Sequence, residues 1–491
     1  MLRLSSCLLL AAVAAAQAPL PRHYREAGEL RWGADAEGGA PFVFVDPGHP
    51  ERGEVGFEVD LAQELGKLFG IKFRRAQEPY ERLVEAVDRG DCDLVLNGFE
   101  PTPARRVQLR FTRPYYIYQQ QLSVGPAITG VKGLADLVGK RVGVLGGSQS
   151  HQLLIAHPGV EAVVYESNVT AYEDVVNGRN AGSLADLPIA RALRPQFPQL
   201  VDVGEPFGEF YYCMAVRRSE PELQRALDDA IAALLENGTL ERIYRKWELW
   251  VPAEAKLADP SLAAMFTVGA APAEIPIDWT VTLGMLGDGA CNTLMLSFAS
   301  FALAIALGLA IALARLHGPP TSRWCALAYV ELFRGTPVLV QLYLLYFGLG
   351  QFEALQMTAM KAGMLGLALN YAAYEAEIYR GALAAIPRGQ REAALALGLT
   401  GAQTQRHVVI PQALRLSLAS STNDFIALFK DSSIVSVISV VELSKQYSIR
   451  TQEVGHFILL GLVTAGFYLA MSLPLAALAR HFEKKLDKDR A

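Results

Sequence analysis

Three groups of residues in this chain have types and spacing suited to chemistry. The first is Glu392-Ala-Ala-Leu-Ala-Leu-Gly398, followed after a gap by Val408-Val-Ile-Pro411. It reads as a short helix, a glycine turn and a second element ending at the proline, a knob that another protein can grip. The second is the turn Gly146-Gly-Ser-Gln-Ser150 ahead of a helix, where Ser148 and backbone N–H groups can donate to a carboxylate. It lacks the Lys-Ser/Thr of a nucleotide loop, so nucleotide binding is the weaker reading. The third is a set of charges in otherwise apolar segments: Glu331, Arg334, Glu375, Glu377, Asp424, Lys430 and Asp431. Such charges are costly in a membrane unless paired or facing a cavity, which makes them functional candidates, although about half are expected at span ends.

The elements that must position these groups differ between the two halves of the chain. Across 491 residues the formal charge is −5, with 51% apolar and only 19% charged residues, and the mean hydropathy is +0.21. Such an average reflects a mixture. Residues 28–258 alternate charged and apolar runs as a globular domain does, and long uncharged stretches begin near 283. The charge is too small, and its distribution too even, for a nucleic-acid surface.

Residues 1–18 read as an export signal: Arg3, the apolar run Leu4–Ala16 and a small-residue cleavage site near Ala16-Gln-Ala18. An uncleaved anchor is the plainer alternative; lipidation at Cys7 has too little apolar sequence before it. The remaining cysteines, Cys92, Cys213, Cys291 and Cys325, have no metal-ligand spacing. A Cys92–Cys213 disulfide fits an oxidising compartment, but two separately buried thiols are the simpler expectation.

In the first half, strand-like runs at Leu30–Gly33, Pro41–Val45, Ile71–Arg75 and Asp93–Leu96 alternate with helical periodicity at Glu58–Phe69 and Tyr80–Arg89. A second set follows: helix Leu134–Val138, strand Arg141–Leu145, helix His151–Ala156 and strand Ala162–Tyr165. A return strand Phe210–Val216 and helices near Pro221–Asn237 and Thr239–Trp247 close the domain. This alternation predicts α/β lobes. Residues 251–278, rich in Pro and Ala, read as a linker.

In the second half, the twenty uncharged residues Met295–Ala314 are enough to cross a hydrocarbon core of about 30 Å. Phe457–Ala479 is of similar character. With Pro337–Phe352 and interrupted segments near 360–378 and 416–441, about five spans are expected. Basic residues collect after the first, third and fifth: Arg315 and Arg323; Arg380, Arg388, Arg391, Arg406 and Arg415; Arg480, Lys484, Lys485, Lys488 and Arg490. With the first half outside, every arginine-rich loop then lies inside. The Glu392–Gly398 knob would face the cytoplasm.

Several runs resemble the polar amino-acid family of periplasmic binding proteins over about 28–250. They are Gly33-Ala-Asp35 with Pro41-Phe42, Gly56-Phe-Glu-Val-Asp-Leu61, Gly90-Asp-Cys-Asp-Leu-Val-Leu-Asn-Gly98, Thr102-Pro-Ala-Arg105, Phe111-Thr-Arg-Pro-Tyr-Tyr116, Gly139–Ser148 and Gly238–Trp247. The resemblance implies two lobes joined by crossing strands, lobe 1 at about 28–120 and 215–250, lobe 2 at about 121–214. It implies that Arg105 clamps a ligand α-carboxylate through its planar two-donor fork. Asp186 would accept the α-ammonium group, Tyr80 would pack on the ligand side chain, and Ser148 would add a donor. A surface arginine, a surface carboxylate and ordinary lobe packing are the bland readings of Arg105, Asp186 and Tyr80. Glu100 departs from the family pattern, which has a small hydroxyl residue there. Two readings stay open: Asp35, Glu100 and Asp186 favour a cationic amino acid, or Glu100 pairs with Arg105 and carries no specificity.

Residues 280–486 resemble the amino-acid permeases of ABC importers. The matching runs are Asn292-Thr-Leu, Glu331-Leu-Phe-Arg-Gly-Thr-Pro337, Tyr374-Glu-Ala-Glu-Ile-Tyr-Arg-Gly381, Leu428-Phe-Lys-Asp-Ser-Ser433 and the knob, which resembles the "EAA" loop, here about 380–415. The expected fold is an α/β two-lobed binding domain followed by an all-α transmembrane domain of about five helices. The resemblance implies a multi-pass protein of the bacterial inner membrane, with the binding domain in the periplasm and a cytoplasmic C-terminus. It implies that Glu392, Ala393 and Gly398 couple to a separate cytoplasmic ABC ATPase, with a second permease copy or homologue completing the pathway. Implied partners are a polar amino acid and the lipid bilayer, not nucleic acid; no cofactor, metal or catalytic residue is expected on this chain, which is not read as an enzyme. The alternative is a ligand-gated channel of the glutamate-receptor kind, which needs a re-entrant filter that this sequence lacks and spans inserted within the lobes.

Overall fold

Short buried runs of β-branched and apolar residues pair in the computed structural model into one eight-stranded sheet. The structure describes residues 19–488 apart from 37–38, 47 and 268–274, with backbone alone for 353 and 478–488. The expected export signal at 1–18 lies outside the described residues. The chain divides into two units between Pro276 and Ile277.

The sheet strands are β1 (Glu29–Ala34), β2 (Lys72–Gln77), β3 (Leu94–Val95), β4 (Leu109–Val124), β5 (Arg141–Leu145), β6 (Glu161–Tyr165), β7 (Gly182–Asp186) and β8 (Val201–Arg217). Their order is β2-β1-β3-β8-β4-β7-β5-β6. β1 is parallel to β2 and β3, and β5 is parallel to β6 and β7. β4 and β8 pair antiparallel along much of their length and connect the two parallel groups. Helices flank each group. Phe57–Phe69 is typical: Phe57, Leu61 and Leu65 are buried, and Gly70 closes the helix at φ +70°, a left-handed cap that glycine adopts without a Cβ clash. Strand Pro41–Val45 shrinks to Phe44–Val45, and the expected helix at Leu134–Val138 is a single 3₁₀ turn, Leu134–Leu137. Cys92 and Cys213 are both buried and unlinked.

Most of the supposed linker is not one. Residues Pro252–Ala258 and Pro260–Thr267 are helical, and Leu257 and Leu262 are buried in the main core of the first unit. Arg113 donates to the Leu257 carbonyl at 2.8 Å, and Phe266 packs edge-on to Tyr211. Its Pro/Ala composition resembled a tether because the apolar residues that anchor it are few and widely spaced.

The second unit is all helical. Its long helices are Trp279–His317, Pro320–Gly335, Ala359–Ala385, Ile410–Asp431 and Phe457–Lys488. Two of them are long and apolar enough to cross a membrane, Trp279–His317 and the Phe457–Ala477 part of the last. A third is reached if Pro320–Gly335 and Val338–Gln351, bent by 108°, form one broken span. The expected span Pro337–Phe352 starts at this bend and runs as successive α, π and 3₁₀ turns, Val338–Tyr343, Leu344–Gly348 and Leu349–Gln351. Pro337 has no N–H and biases Thr336 towards extended backbone, so the bend falls there. Ala359–Ala385 and Ile410–Asp431 are less apolar because they carry Lys361, Glu375, Glu377, Arg380, Arg415, Asp424, Lys430 and Asp431.

A further correction concerns Pro411. It does not end an element but lies in the first turn of Ile410–Asp431, directly after a π-helical stretch Gln405–Val409. A wide turn of that kind accommodates the donor that proline lacks.

Candidate ligand-binding site and permease surfaces

The parallel strands of both groups end on one cavity. Asp35 follows β1, Asn97-Gly98-Phe99-Glu100 follows β3, Leu145 ends β5 ahead of Ser148 and Ser150, Glu166 follows β6, and Asp186 ends β7. The carboxyl ends of strands in open α/β sheets are where ligands lodge, because the loops there splay apart. Phe42, Tyr80, Asn168 and Ile189 complete the wall of a cavity with an empty volume of about 510 Å³.

Of the six residues singled out from sequence, Asp35, Tyr80, Glu100, Ser148 and Asp186 line this cavity. Arg105 stands behind it. Thr102 caps the helix Pro103–Gln108 by accepting from the Arg105 N–H, which fixes the arginine in the first turn. Its guanidinium lies 4.0 Å over the Phe99 ring centroid and donates to Glu100 Oε2 at 2.9 Å. The Tyr80 hydroxyl donates to the same oxygen at 2.5 Å. The other Glu100 oxygen accepts the Gln149 N–H at 3.1 Å and the Tyr118 hydroxyl at 3.4 Å. Glu100 and Arg105 thus form a buried ion pair at the edge of the cavity.

Asp186 is held from two strands. Gln120 on β4 donates to Oδ1 at 2.8 Å and is itself oriented by Ser150, which donates to its Oε1 at 2.6 Å; Tyr212 on β8 donates to Oδ2. Burial first, then the nearby Glu100 charge, push its carboxyl well above the usual carboxylate range. Asp35 accepts from Gln77 at 3.0 Å and from the Tyr80 N–H at 3.1 Å. Ser148 does not point a free hydroxyl at the cavity: it donates to the Leu145 carbonyl at 2.8 Å and accepts the His151 N–H, so it caps the helix Gln149–Ile155. Ser150, Gln120, Tyr118 and Tyr212 escaped the sequence reading. Only the tyrosine- and glutamine-rich alternation of Tyr115–Gln121 hinted at them, and which faces meet Asp186 is settled by strand pairing.

In the second unit, three of the seven flagged charges meet partners on neighbouring residues, while Asp424 keeps a buried Oδ2 with no hydrogen bond among the described residues. Glu375 is buried and accepts from Ser421 at 2.8 Å. Glu377 pairs with Arg315 and Arg380, and Asp431 accepts the Tyr371 hydroxyl at 2.7 Å. Glu331, Arg334 and Lys430 lie on the unit's surface, Arg334 over the Tyr374 ring. Glu442 was missed. Buried, it caps the helix Leu443–Val454 through the Ser444 and Lys445 N–H groups and accepts from Tyr468 at 3.1 Å. The Asn292-Thr-Leu run serves the same junction: Asn292 donates to the Val441 carbonyl, and Thr293 accepts the Leu443 N–H.

Glu392 and Ala393 are exposed on the helix Arg388–Ala396, which is anchored by Ala394. Leu395 and Leu397 project from it, 52% and 84% exposed. Gly398, at φ +85°, ends the helix in the left-handed conformation, so the turn needs glycine.

Comparison with known proteins decides what these two units are. Residues 30–249 match the model for bacterial extracellular solute-binding proteins, family 3. Residues 304–488 match that for the binding-protein-dependent transport system inner membrane component. The glutamine transport system permease protein GlnP of Escherichia coli (strain K12) is 37% identical over 217 residues, 43% of this chain and 97% of that protein. The chain belongs to the amino-acid ABC transporter permeases. The probable amino-acid ABC transporter permease protein YckA of Bacillus subtilis (strain 168) is 37% identical over 193 residues, 39% of this chain and 85% of its own. Among solved structures, an ancestral arginine-binding protein bound to arginine is 32% identical, with 45% of this chain and 98% of that one covered and a TM-score of 0.42. This permease thus carries its solute-binding domain on the same chain, and the channel alternative finds no support. Both families are transport components.

Proposed function

We propose that the chain is the combined capture and translocation subunit of an importer for polar amino-acid-type solutes. The cavity at the strand ends closes on the solute outside the cell, with Asp186 taking its ammonium group, and the permease domain passes it inward. A separate ATPase grips the helix Arg388–Ala396 from the cytoplasm, and a second permease copy or homologue completes the pathway. The observation that carries the coupling reading is the exposure of Leu395 and Leu397 beside Glu392 and Ala393 at the end of the helix Arg388–Ala396. Small and apolar residues permit close helix docking, and exposed leucines call for a partner. The arginine-rich flanks of the helical unit support the orientation.

The test is solute uptake by the full chain reconstituted in vesicles with its ATPase. Glu392→Lys is expected to leave solute binding unchanged while uptake falls at least tenfold. Undiminished uptake in that variant would remove the coupling role.

A further inference from the structure

The first long helix of the permease domain, Trp279–His317, ends on an imidazole that two other elements reach. Arg391, one residue before Glu392 on the helix Arg388–Ala396, places its Nη2 3.1 Å from His317 Nε2. Gln405 opens the π-helical stretch Gln405–Val409 and places its Nε2 3.0 Å from the same ring nitrogen. An arginine carries only donors, so His317 Nε2 meets it by accepting. The ring also donates to the Leu313 carbonyl one turn back, a role left to Nδ1. These partners together assign one neutral tautomer, with its lone pair on Nε2.

From this junction we infer that His317, as a neutral imidazole, is the positioning residue that ties the helix Arg388–Ala396 to the first membrane helix, and that its protonation uncouples transport. The inference rests on the coupling reading above and adds a route and a regulation to it. Of the residues in Arg388–Ala396, Ala394 alone is buried. Otherwise this helix meets chiefly the elements that follow it, Gly401–Thr404 and Gln405–Val409. Because His317 holds Gln405 as well as Arg391, both routes from the coupling surface converge on it. Trp279–His317 packs more extensively on Ala359–Ala385 than on any other helix. A displacement of Arg391 is thereby handed to the centre of the helical unit through a contiguous chain of contacts. Protonation removes the lone pair that both donors use. It also sets an imidazolium against Arg391, and against Arg323 on the next helix, the two charges that act on the ring. Gln405 and the Leu313 carbonyl are neutral and cannot offset them, so the junction turns repulsive.

The experiment measures amino-acid uptake per ATP hydrolysed by the full chain with its ATPase in vesicles, using a labelled mixture of the common L-amino acids. The cytoplasmic face is held at about pH 7.5 or about pH 5.5, on either side of the ordinary histidine range. In the natural protein the ratio is expected to fall roughly threefold or more at the acid pH. His317→Gln offers an amide oxygen that accepts from Arg391 and Gln405 at either pH. It is expected to keep the ratio and abolish the acid loss; any pH dependence of the ATPase itself is common to both proteins. His317→Leu, of similar bulk but without an acceptor, is expected to lower the ratio roughly fivefold or more at both pH values. An acid loss in His317→Gln equal to that of the natural protein overturns the inference, as does an unchanged ratio in His317→Leu. Should thermal denaturation in nanodiscs show the Leu variant unfolded, the pH profile of the Gln variant decides alone. Glu392→Lys, run in parallel, separates the two readings. If it uncouples uptake while both His317 variants behave as the natural protein does, the coupling helix stands and the role of His317 falls. If Glu392→Lys is coupled normally, or no amino acid is taken up at all, both fall.

Discussion

The Glu254 carboxylate accepts the backbone N–H of Ile117 at 3.2 Å, which pins the segment after the last binding-domain helix to the middle of crossing strand β4. Buried with little but that amide to stabilise its charge, the carboxyl is pushed up to about 9. Because the folded-state value lies above the unfolded one, the stabilising form is the protonated one. Its contribution is complete below about 4.5 and is lost as pH rises towards 9. Unfolding followed by tryptophan fluorescence should therefore show the first unit losing stability from pH 7 to 9. Glu254→Gln should flatten that limb, and an unchanged slope would show the carboxyl to be charged throughout.

Glu58 holds the loop that lines the cavity after β3. Its Oε1 accepts the Gly98 N–H at 2.6 Å and the Tyr115 hydroxyl at 2.5 Å. Burial pushes this carboxyl up to about 7, so its effect on stability falls in the window from about 4.5 to 7 and overlaps that of Glu254, which alone of the two continues to about 9. Glu58→Ala leaves both donors buried without an acceptor and should destabilise the first unit by about 2 kcal/mol. It should also weaken solute binding, because Asn97 and Gly98 line the cavity. Chemical denaturation and calorimetry on the same variant check the two effects.

Tyr212 reaches Asp186 from β8. Tyr212→Phe removes one donor from a buried carboxyl, a loss of about 1.5–3 kcal/mol for a hydrogen bond to a charged group. Affinity for a solute whose ammonium group meets Asp186 should fall roughly ten- to hundredfold at neutral pH. The loss should shrink at higher pH, where Asp186 ionises even without the tyrosine. Equal loss at pH 7 and pH 9 would separate Tyr212 from Asp186 ionisation.

Gly308 allows two helices of the permease domain to meet closely. A Cβ there would stand 2.7 Å from Glu375 Cβ and 3.1 Å from the Ala372 carbonyl oxygen and the Ala376 nitrogen. Close approach through small residues is how helices associate in lipid, where apolar burial alone gives little drive. Gly308→Val should destabilise the domain by about 1–3 kcal/mol, read as a lower midpoint of thermal denaturation in nanodiscs, while solute binding by the first unit is retained.

Much of the fold was legible because local rules decide it. Arg141–Leu145 has the limits its apolar run suggests, and Pro221–Glu236 and Phe57–Phe69 follow their helical periodicity to within a residue. β4 was read only as a run of matching residues around Phe111–Tyr116, since its tyrosines, glutamines and Pro114 obscure a sixteen-residue strand. Its length comes from pairing with β8, a contact between segments about a hundred positions apart. The helices Ala359–Ala385 and Ile410–Asp431 carry ionic and polar pairs that hydropathy counts as breaks.

By itself the sequence determined that an α/β binder precedes a helical membrane domain, and which carboxylates, tyrosines and arginine were worth watching, because periodicity, charge placement and ordered motifs are local properties. Tertiary structure alone decided that Glu100 pairs with Arg105 and that Tyr212 and Gln120, the latter oriented by Ser150, hold Asp186. Those relations join the ends of separate strands, and only the order and register of the sheet bring them within hydrogen-bond reach.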